Sequence, residues 1–219
     1  MPHLTIKKRL GIFIVLGAAW AFPQLSQAMS VSWQGSTAVM TANQPFLTDW
    51  LVAYSFRKDA AVAARYMRMI MNDGSEMKIY APQLDFLLRR WNGKDYQANI
   101  YLNGALGVEN FQGQNSSAGI GTLDVDVESR ELYTSLKLQA NLVGAGPNVY
   151  QTELRLGAAP FKADFEEIAA WLIVSVQSNP QLIRSFSVTP MLRLFYKNAL
   201  LEVGASAQGD FALNSMIHF

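Results

Sequence analysis

From Leu132 to Leu142 the chain alternates without a break. Leu132, Thr134, Leu136, Leu138, Ala140 and Leu142 stand against Tyr133, Ser135, Lys137, Gln139 and Asn141. A two-residue period sends successive side chains to opposite faces of an extended strand, so the segment needs a sheet with one largely apolar face and one polar face. Tyr96–Val108 repeats the pattern, with Ala98, Ile100, Leu102, Leu106 and Val108 against Gln97, Asn99, Tyr101 and Asn103. So does Ile183–Tyr196, where Phe186, Val188, Pro190, Leu192, Leu194 and Tyr196 oppose Ser185, Ser187, Thr189, Met191, Arg193 and Phe195. Leu200–Gln208 and Phe211–Phe219 complete the series.

Turn signals separate these runs: Asn72-Asp73-Gly74-Ser75, Asn92-Gly93-Lys94-Asp95, Ser129-Arg130-Glu131, Gly144-Ala145-Gly146-Pro147-Asn148, Ser178-Asn179-Pro180 and Gly209-Asp210. Their spacing predicts a hairpin-connected meander, because parallel crossovers need longer connections. Half of the residues are apolar. Yet no run after residue 28 reaches the roughly 20 residues of a spanning helix. An apolar composition without long apolar runs suits a membrane barrel, in which each strand gives lipid only every second residue. A soluble β-sandwich is the plainer alternative. Several runs of about ten residues or more are long for globular strands and suited to a tilted bilayer crossing.

The last strand sharpens the expectation. Phe211, Leu213, Ser215, Ile217 and Phe219 alternate with Ala212, Asn214, Met216 and His218, and the segment ends on an aromatic. It resembles the closing strand of Gram-negative outer-membrane β-barrel proteins, a class whose chains commonly end in Phe. The resemblance implies that Phe219 acts as a C-terminal assembly signal read by the barrel-assembly machinery. It also implies outer-membrane lipid and lipopolysaccharide as surroundings.

The other end fits an exported chain. Lys7, Lys8 and Arg9 form a basic region, Leu10 to Phe22 an apolar stretch, and Ser26-Gln27-Ala28 a small-x-small cleavage site after Pro23. This predicts a secretory signal peptide over 1–28, cleaved after Ala28, and one barrel domain over 29–219. Taking those three basic residues from the 18 Lys+Arg leaves 15 against 17 Asp+Glu, a net charge of −2. Such a balance gives no electrostatic case for nucleic acid. With no cysteine there is neither a disulfide framework nor thiolate chemistry.

The fold expected is an all-β, antiparallel, up-and-down transmembrane barrel. Twelve strands fit if Val31–Met40, Phe46–Phe56, Asp59–Met71 and Met77–Trp91 are the first four. Ten is the alternative, since the alanines and methionines of Asp59–Met71 favour helix. The twelve-strand register puts both chain ends on the periplasmic side, the Gly/Ser/Asn-rich stretch Phe111–Ala118 outside as a long loop, and Phe56, Trp91, Tyr196 and Phe219 at the periplasmic rim.

The charges falling opposite the apolar face are the candidate lumen lining: Asp85, Arg89, Glu109, Asp124, Asp126, Lys137, Glu153, Arg155, Arg193 and Glu202. Asp124, Asp126 and Glu128 share one face and offer oxygen ligands to a hard cation; a solvated wall paired with Lys137 or Arg155 is the blander reading. Arg65, Arg68 and Arg184 fall toward the outer side, where phosphates of lipopolysaccharide or plain interfacial snorkelling would occupy them. Ala60-Ala61-Val62-Ala63-Ala64 presents small residues to a close neighbour. His3 lies in the signal peptide and His218 beside the expected periplasmic rim. No catalytic, cofactor or metal constellation emerges. The expected function is a narrow channel or passive transporter for small solutes or ions, with mixed lumen charge implying no strong ion preference. A non-conducting structural or adhesive barrel is the alternative, and an outer-membrane enzyme the third reading. The sequence names no solute and no oligomeric state.

Overall fold

The computed structural model describes residues 29–164 and 166–219; the expected signal peptide lies outside them. Twelve antiparallel strands follow one another around a closed barrel: β1 Thr37–Gln44, β2 Leu47–Arg57, β3 Ala60–Ile70, β4 Glu76–Asn92, β5 Tyr96–Phe111, β6 Gln114–Ser129, β7 Leu132–Val143, β8 Val149–Ala158, β9 Ala169–Ser178, β10 Phe186–Tyr196, β11 Ala199–Ala205 and β12 Phe211–His218. The ring is sealed by β1 and β12, in register from Ala38 opposite His218 to Asn43 opposite Leu213. Reciprocal Thr37–Phe219 backbone bonds of 3.2 and 2.9 Å extend the seam. The end of the barrel that holds this pair is called the near end below, the opposite one the far end.

The two-residue period is realised as expected. Leu106, Leu132, Leu136, Leu138, Leu156, Leu172, Val174, Leu192, Leu201 and Ile217 are exposed on the outer surface. A continuous apolar belt of this extent is untenable in water and is the face that lipid covers. Phe56, Trp91, Tyr196 and Phe219 are exposed together around the near end, and Trp50, Tyr80, Tyr150, Phe186 and Phe211 around the far end. Two aromatic girdles therefore bound the belt.

Two expectations give way, each for a local reason. The first strand starts at Thr37 rather than Val31, because Gly35 turns at φ 89° and donates to the Ser55 carbonyl at 2.7 Å. Residues 29–36 consequently fold into the bore. The Phe111–Ala118 loop does not exist. Gln112 at φ 50° and Gly113 at φ 79° make a two-residue turn, and β6 starts at Gln114. Positive φ at both turn positions matches the strand twist, and an Asn110–Asn115 side-chain bond of 2.7 Å continues the pairing. Among the described residues the widest gap between strands lies instead between β8 and β9, at the near end.

The third strand is present despite its helix-favouring composition. Ala61 and Ala63 face inward beneath the 29–36 segment, and Met67 and Met69 fill the upper bore. Unbranched thioether side chains suit such irregular space, and pairing on both edges overrides the weak intrinsic preference.

Candidate functional site in the barrel lumen

A barrel of this strand number has an interior between side-chain-filled and openly aqueous. Here the interior divides into three levels.

The near mouth holds residues 29–36. Val31 is 1% exposed and packs among Ala38, Ala53, Ala61, Ala63 and Tyr101. Ser32 N donates to Ser55 Oγ at 3.0 Å, and the Trp33 ring lies 5.5 Å from that of His218. Ala61 and Ala63 of the β3 alanine patch therefore serve an internal neighbour, while Val62 and Ala64 face outward. His218 is buried at the near end, remote from the far rim.

The middle level is polar. Arg65 clamps Asp49 through two bonds of 2.9 and 2.6 Å, and reaches Gln83 at 3.1 Å and Gln139 at 2.8 Å. The last bond crosses the bore from β3 to β7. On the opposite wall Glu202 accepts from Arg155 Nη2 and Arg193 Nε at 2.7 Å each and from Asn214 at 2.8 Å. Arg155 also lies 3.0 Å from Glu153, and the Arg193 guanidinium sits 4.3 Å above the Tyr133 ring. Lys137 stands between Asp124 and Glu153 in the register of β6, β7 and β8. Asp126 accepts from Asn99 at 2.8 Å, and Asn99 in turn accepts from Arg90 at 2.8 Å.

The far level is apolar and covered. Phe46, Met67, Met69, Met71, Met77, Ile79 and Val149 form a buried cluster that Leu182 completes from above. Leu182 belongs to the β9–β10 connection, 179–185, which leaves its own side of the ring and pairs with the β3–β4 turn. Asn72 N donates to the Gln181 carbonyl at 3.0 Å, Ile183 N to the Ile70 carbonyl at 3.1 Å, and Asn72 Nδ2 to the Pro180 carbonyl at 2.8 Å. Since β3 and β9 stand on opposite sides of the ring, this segment is a strap across the far mouth. Fully burying a leucine contributes roughly 1.5–3 kcal/mol to holding it there. The β7–β8 loop folds inward beside it, with Ala145 N and Gly146 N donating to Glu109 at 3.0 and 2.7 Å. On the rim, Asp73 accepts from the Ser75 hydroxyl and backbone N–H at 2.5 and 2.9 Å, which holds its carboxyl below the ordinary 3.8.

The candidate lining residues thus occupy distinct places. Asp85, Asp124, Asp126, Lys137, Glu153, Arg155, Arg193 and Glu202 lie on the inward face at mid-level. Glu109 is inward but spent on capping the β7–β8 loop. Arg89 is a correction. A bulge between Leu87 and Arg89 reverses the parity of β4, so Arg89 is exposed above the outward Trp91 ring at 5.5 Å, and Arg90 takes the inward place. Arg65 is a second correction: it is buried in the bore and tied to Asp49, where no lipopolysaccharide phosphate reaches it. Arg68 bonds Glu76, and Arg184 bonds Asp210 at 2.5 Å at the far rim. Asp124, Asp126 and Glu128 share a wall, yet no cluster able to hold a metal ion occurs among the described residues. Sequence reading missed Asp49, Arg90, Gln139 and Leu182. Parity along Leu47, Asp49, Leu51 and Ala53 is the signal for the first; the others depend on the bulge or on contacts across the bore.

No family model and no curated protein matches the chain. Among solved structures it is similar to the KdgM porin in complex with disordered oligogalacturonate, at 10% identity over 84% of this chain and 98% of that one, TM-score 0.48. It is similar to the KdgM porin alone at 10% identity with the same coverage and a TM-score of 0.46. It is also similar to a loop L8 deletion mutant of OmpT, an outer membrane protein of Vibrio cholerae, at 7% identity over 84% and 97% of the two chains, TM-score 0.29. With its closed ring, apolar outer belt, aromatic girdles and polar mid-lumen, the chain is a twelve-strand antiparallel up-and-down β-barrel with the surface of a membrane-spanning one.

Proposed function

We propose that this barrel is a narrow channel for small hydrated solutes, closed at both mouths in the conformation described. One observation carries the reading: the polar mid-lumen contains buried polar atoms without partners among the described residues, including Asp124 Oδ1, Asp126 Oδ2, Gln177 Oε1, Arg193 Nη2 and Asn214 Oδ1. In a dry core such atoms are costly, whereas water or a passing solute satisfies them. A barrel serving only as a scaffold would gain more from an apolar fill, such as the far level already has. Inward acids outnumber inward bases, with Asp49, Asp85, Glu109, Asp124, Asp126, Glu128, Glu153 and Glu202 against Arg65, Arg90, Lys137, Arg155 and Arg193. The open path therefore passes cations in preference to anions.

Export after cleavage at Ala28, a periplasmic near end and recognition of Phe219 by the assembly machinery belong to the same reading. So does contact of the outer belt with lipid and lipopolysaccharide. The second reading, a non-conducting barrel, is favoured by the Arg65–Gln139 bond across the bore and the strap above it.

Planar-bilayer recording separates the two. The refolded protein is expected to give discrete ohmic steps, with a reversal potential in a KCl gradient displaced toward that of K⁺. A silent bilayer from protein that still shows a heat-modifiable folded band would overturn the channel.

A further inference from the structure

Asp85 on β4 is fully buried, and its carboxyl is bonded by Gln83 and by the Ser30 side chain of the 29–36 segment. Gln83 Nε2 donates to Oδ1 at 2.6 Å, and the Asn103 amide, turned over, would approach the same oxygen at 3.3 Å. Oδ2 makes no hydrogen bond of regular geometry among the described residues, so the Ser30 contact leaves room at this oxygen. Arg65 bonds Asp49, Gln83 and Gln139 and acts on Asp85 only through space. A buried carboxylate left in this state asks for a cation.

The chain brings one past it. Residues 29–36 turn into the near mouth, where Ser30 is buried beside Asp85 and Met29 packs on the cluster of Val31, Ala61 and Tyr101. In an uncleaved chain the nitrogen of residue 29 is a neutral amide. Hydrolysis after Ala28 by a signal peptidase consumes one water, leaves a carboxylate on Ala28 and frees an amine on Met29. With an ordinary value of about 7.7–8.0, that amine is mostly protonated at neutral pH. It sits one residue upstream of Ser30, about 3.8 Å from Cα to Cα.

We infer that processing after Ala28 creates at Met29 the ammonium that pairs with Asp85, and that this pair locks residues 29–36 inside the near mouth. The lock makes seating of the segment conditional on maturation: a chain starting elsewhere has no charge at this place. It depends on the cleavage site and is independent of whether the lumen conducts.

The test uses protein exported with its own leader and purified from membranes. Intact mass fixes the first residue of the wild type, and any start other than Met29 overturns the inference. A Gly-Ser insertion between Ala28 and Met29 moves the ammonium two residues upstream and leaves the lumen sequence unchanged. Hydrogen exchange at the Ser32 and Gly35 amides, which donate to Ser55, is expected to quicken at least tenfold. Asp85→Asn should do the same, and the combination no more than either alone. Unchanged protection in the inserted protein, or effects that multiply in the combination, would overturn the lock. If Asp85→Asn does not fold, the inserted protein decides. Bilayer conductance of the wild type is recorded apart, so a silent membrane removes the channel reading and leaves the lock standing.

Discussion

Leu182 and Met71 face each other in an isolated antiparallel bridge that joins opposite sides of the far mouth. The pair converts a surface connection into a cover for the bore. Replacing Leu182 with Asp puts a charge into the methionine cluster and should release the strap while the strands keep their ladders. The expected result is a several-fold rise in single-channel conductance or open probability in planar bilayers. Unaltered conductance from folded protein would show that the strap does not obstruct the path.

The Arg65–Asp49 pair is a buried clamp, with side chains 5% and 16% exposed. Arg65→Ala leaves Asp49 inside the bore without its cation, a loss of about 3–5 kcal/mol. Arg65→Met combined with Asp49→Leu removes both charges and should recover most of it. Urea unfolding in detergent micelles compares the two; equal losses would contradict the assignment of the pair.

The bulge in β4 makes Arg89 and Arg90 unequal. Arg90 donates to Asn99 at 2.8 Å and lies 3.4 Å from the Tyr101 hydroxyl, and losing a hydrogen bond from a charged group costs about 1.5–3 kcal/mol. Arg89 is exposed over Trp91, where the contact contributes about 0.5–1 kcal/mol. Alanine at position 90 should lower the unfolding midpoint clearly more than alanine at position 89. The reverse order would place the bulge elsewhere.

Acid should loosen the strap's anchor. The Ser75 hydroxyl and N–H hold the Asp73 carboxyl below its ordinary 3.8. A carboxyl depressed in the folded state contributes stability above its unfolded value and loses it as pH falls through the folded one. Exchange at the amides of Gly74 and Ser75 is therefore expected to rise below about pH 4. Ser75→Ala should blunt that rise, because it removes the larger of the two interactions.

The period of two made most of the barrel legible in the sequence. Leu132–Leu142 became β7 with its faces as read, and Asp59–Met71 became β3 although its composition argued for helix. Periodicity reports the face of each residue and nothing about what stands opposite. Alternation therefore leaves the Arg65–Asp49 clamp and the Leu182 cover without any mark in the sequence. Arg89 shows a different limit: one inserted residue inverts every later parity on a strand, and alternation carries no mark of it. The stretch after Phe111 has the composition of a loop because serine, asparagine and glycine are turn formers, but on β6 those residues face a neighbour that pairs with them.

The strands of this ring are unequal. β4, β5 and β6 run 17, 16 and 16 residues, while β1, β11 and β12 run 8, 7 and 8. At about 3.4 Å per residue, β5 traces roughly 54 Å and β11 roughly 24 Å. One bilayer must accommodate both flanks of this lopsided cylinder. Lipid beside the β1–β12 seam is compressed, or the whole molecule leans until its short flank spans a thinner section. The closure point of the ring thus lies on the flank where the mismatch with a bilayer of ordinary thickness is largest.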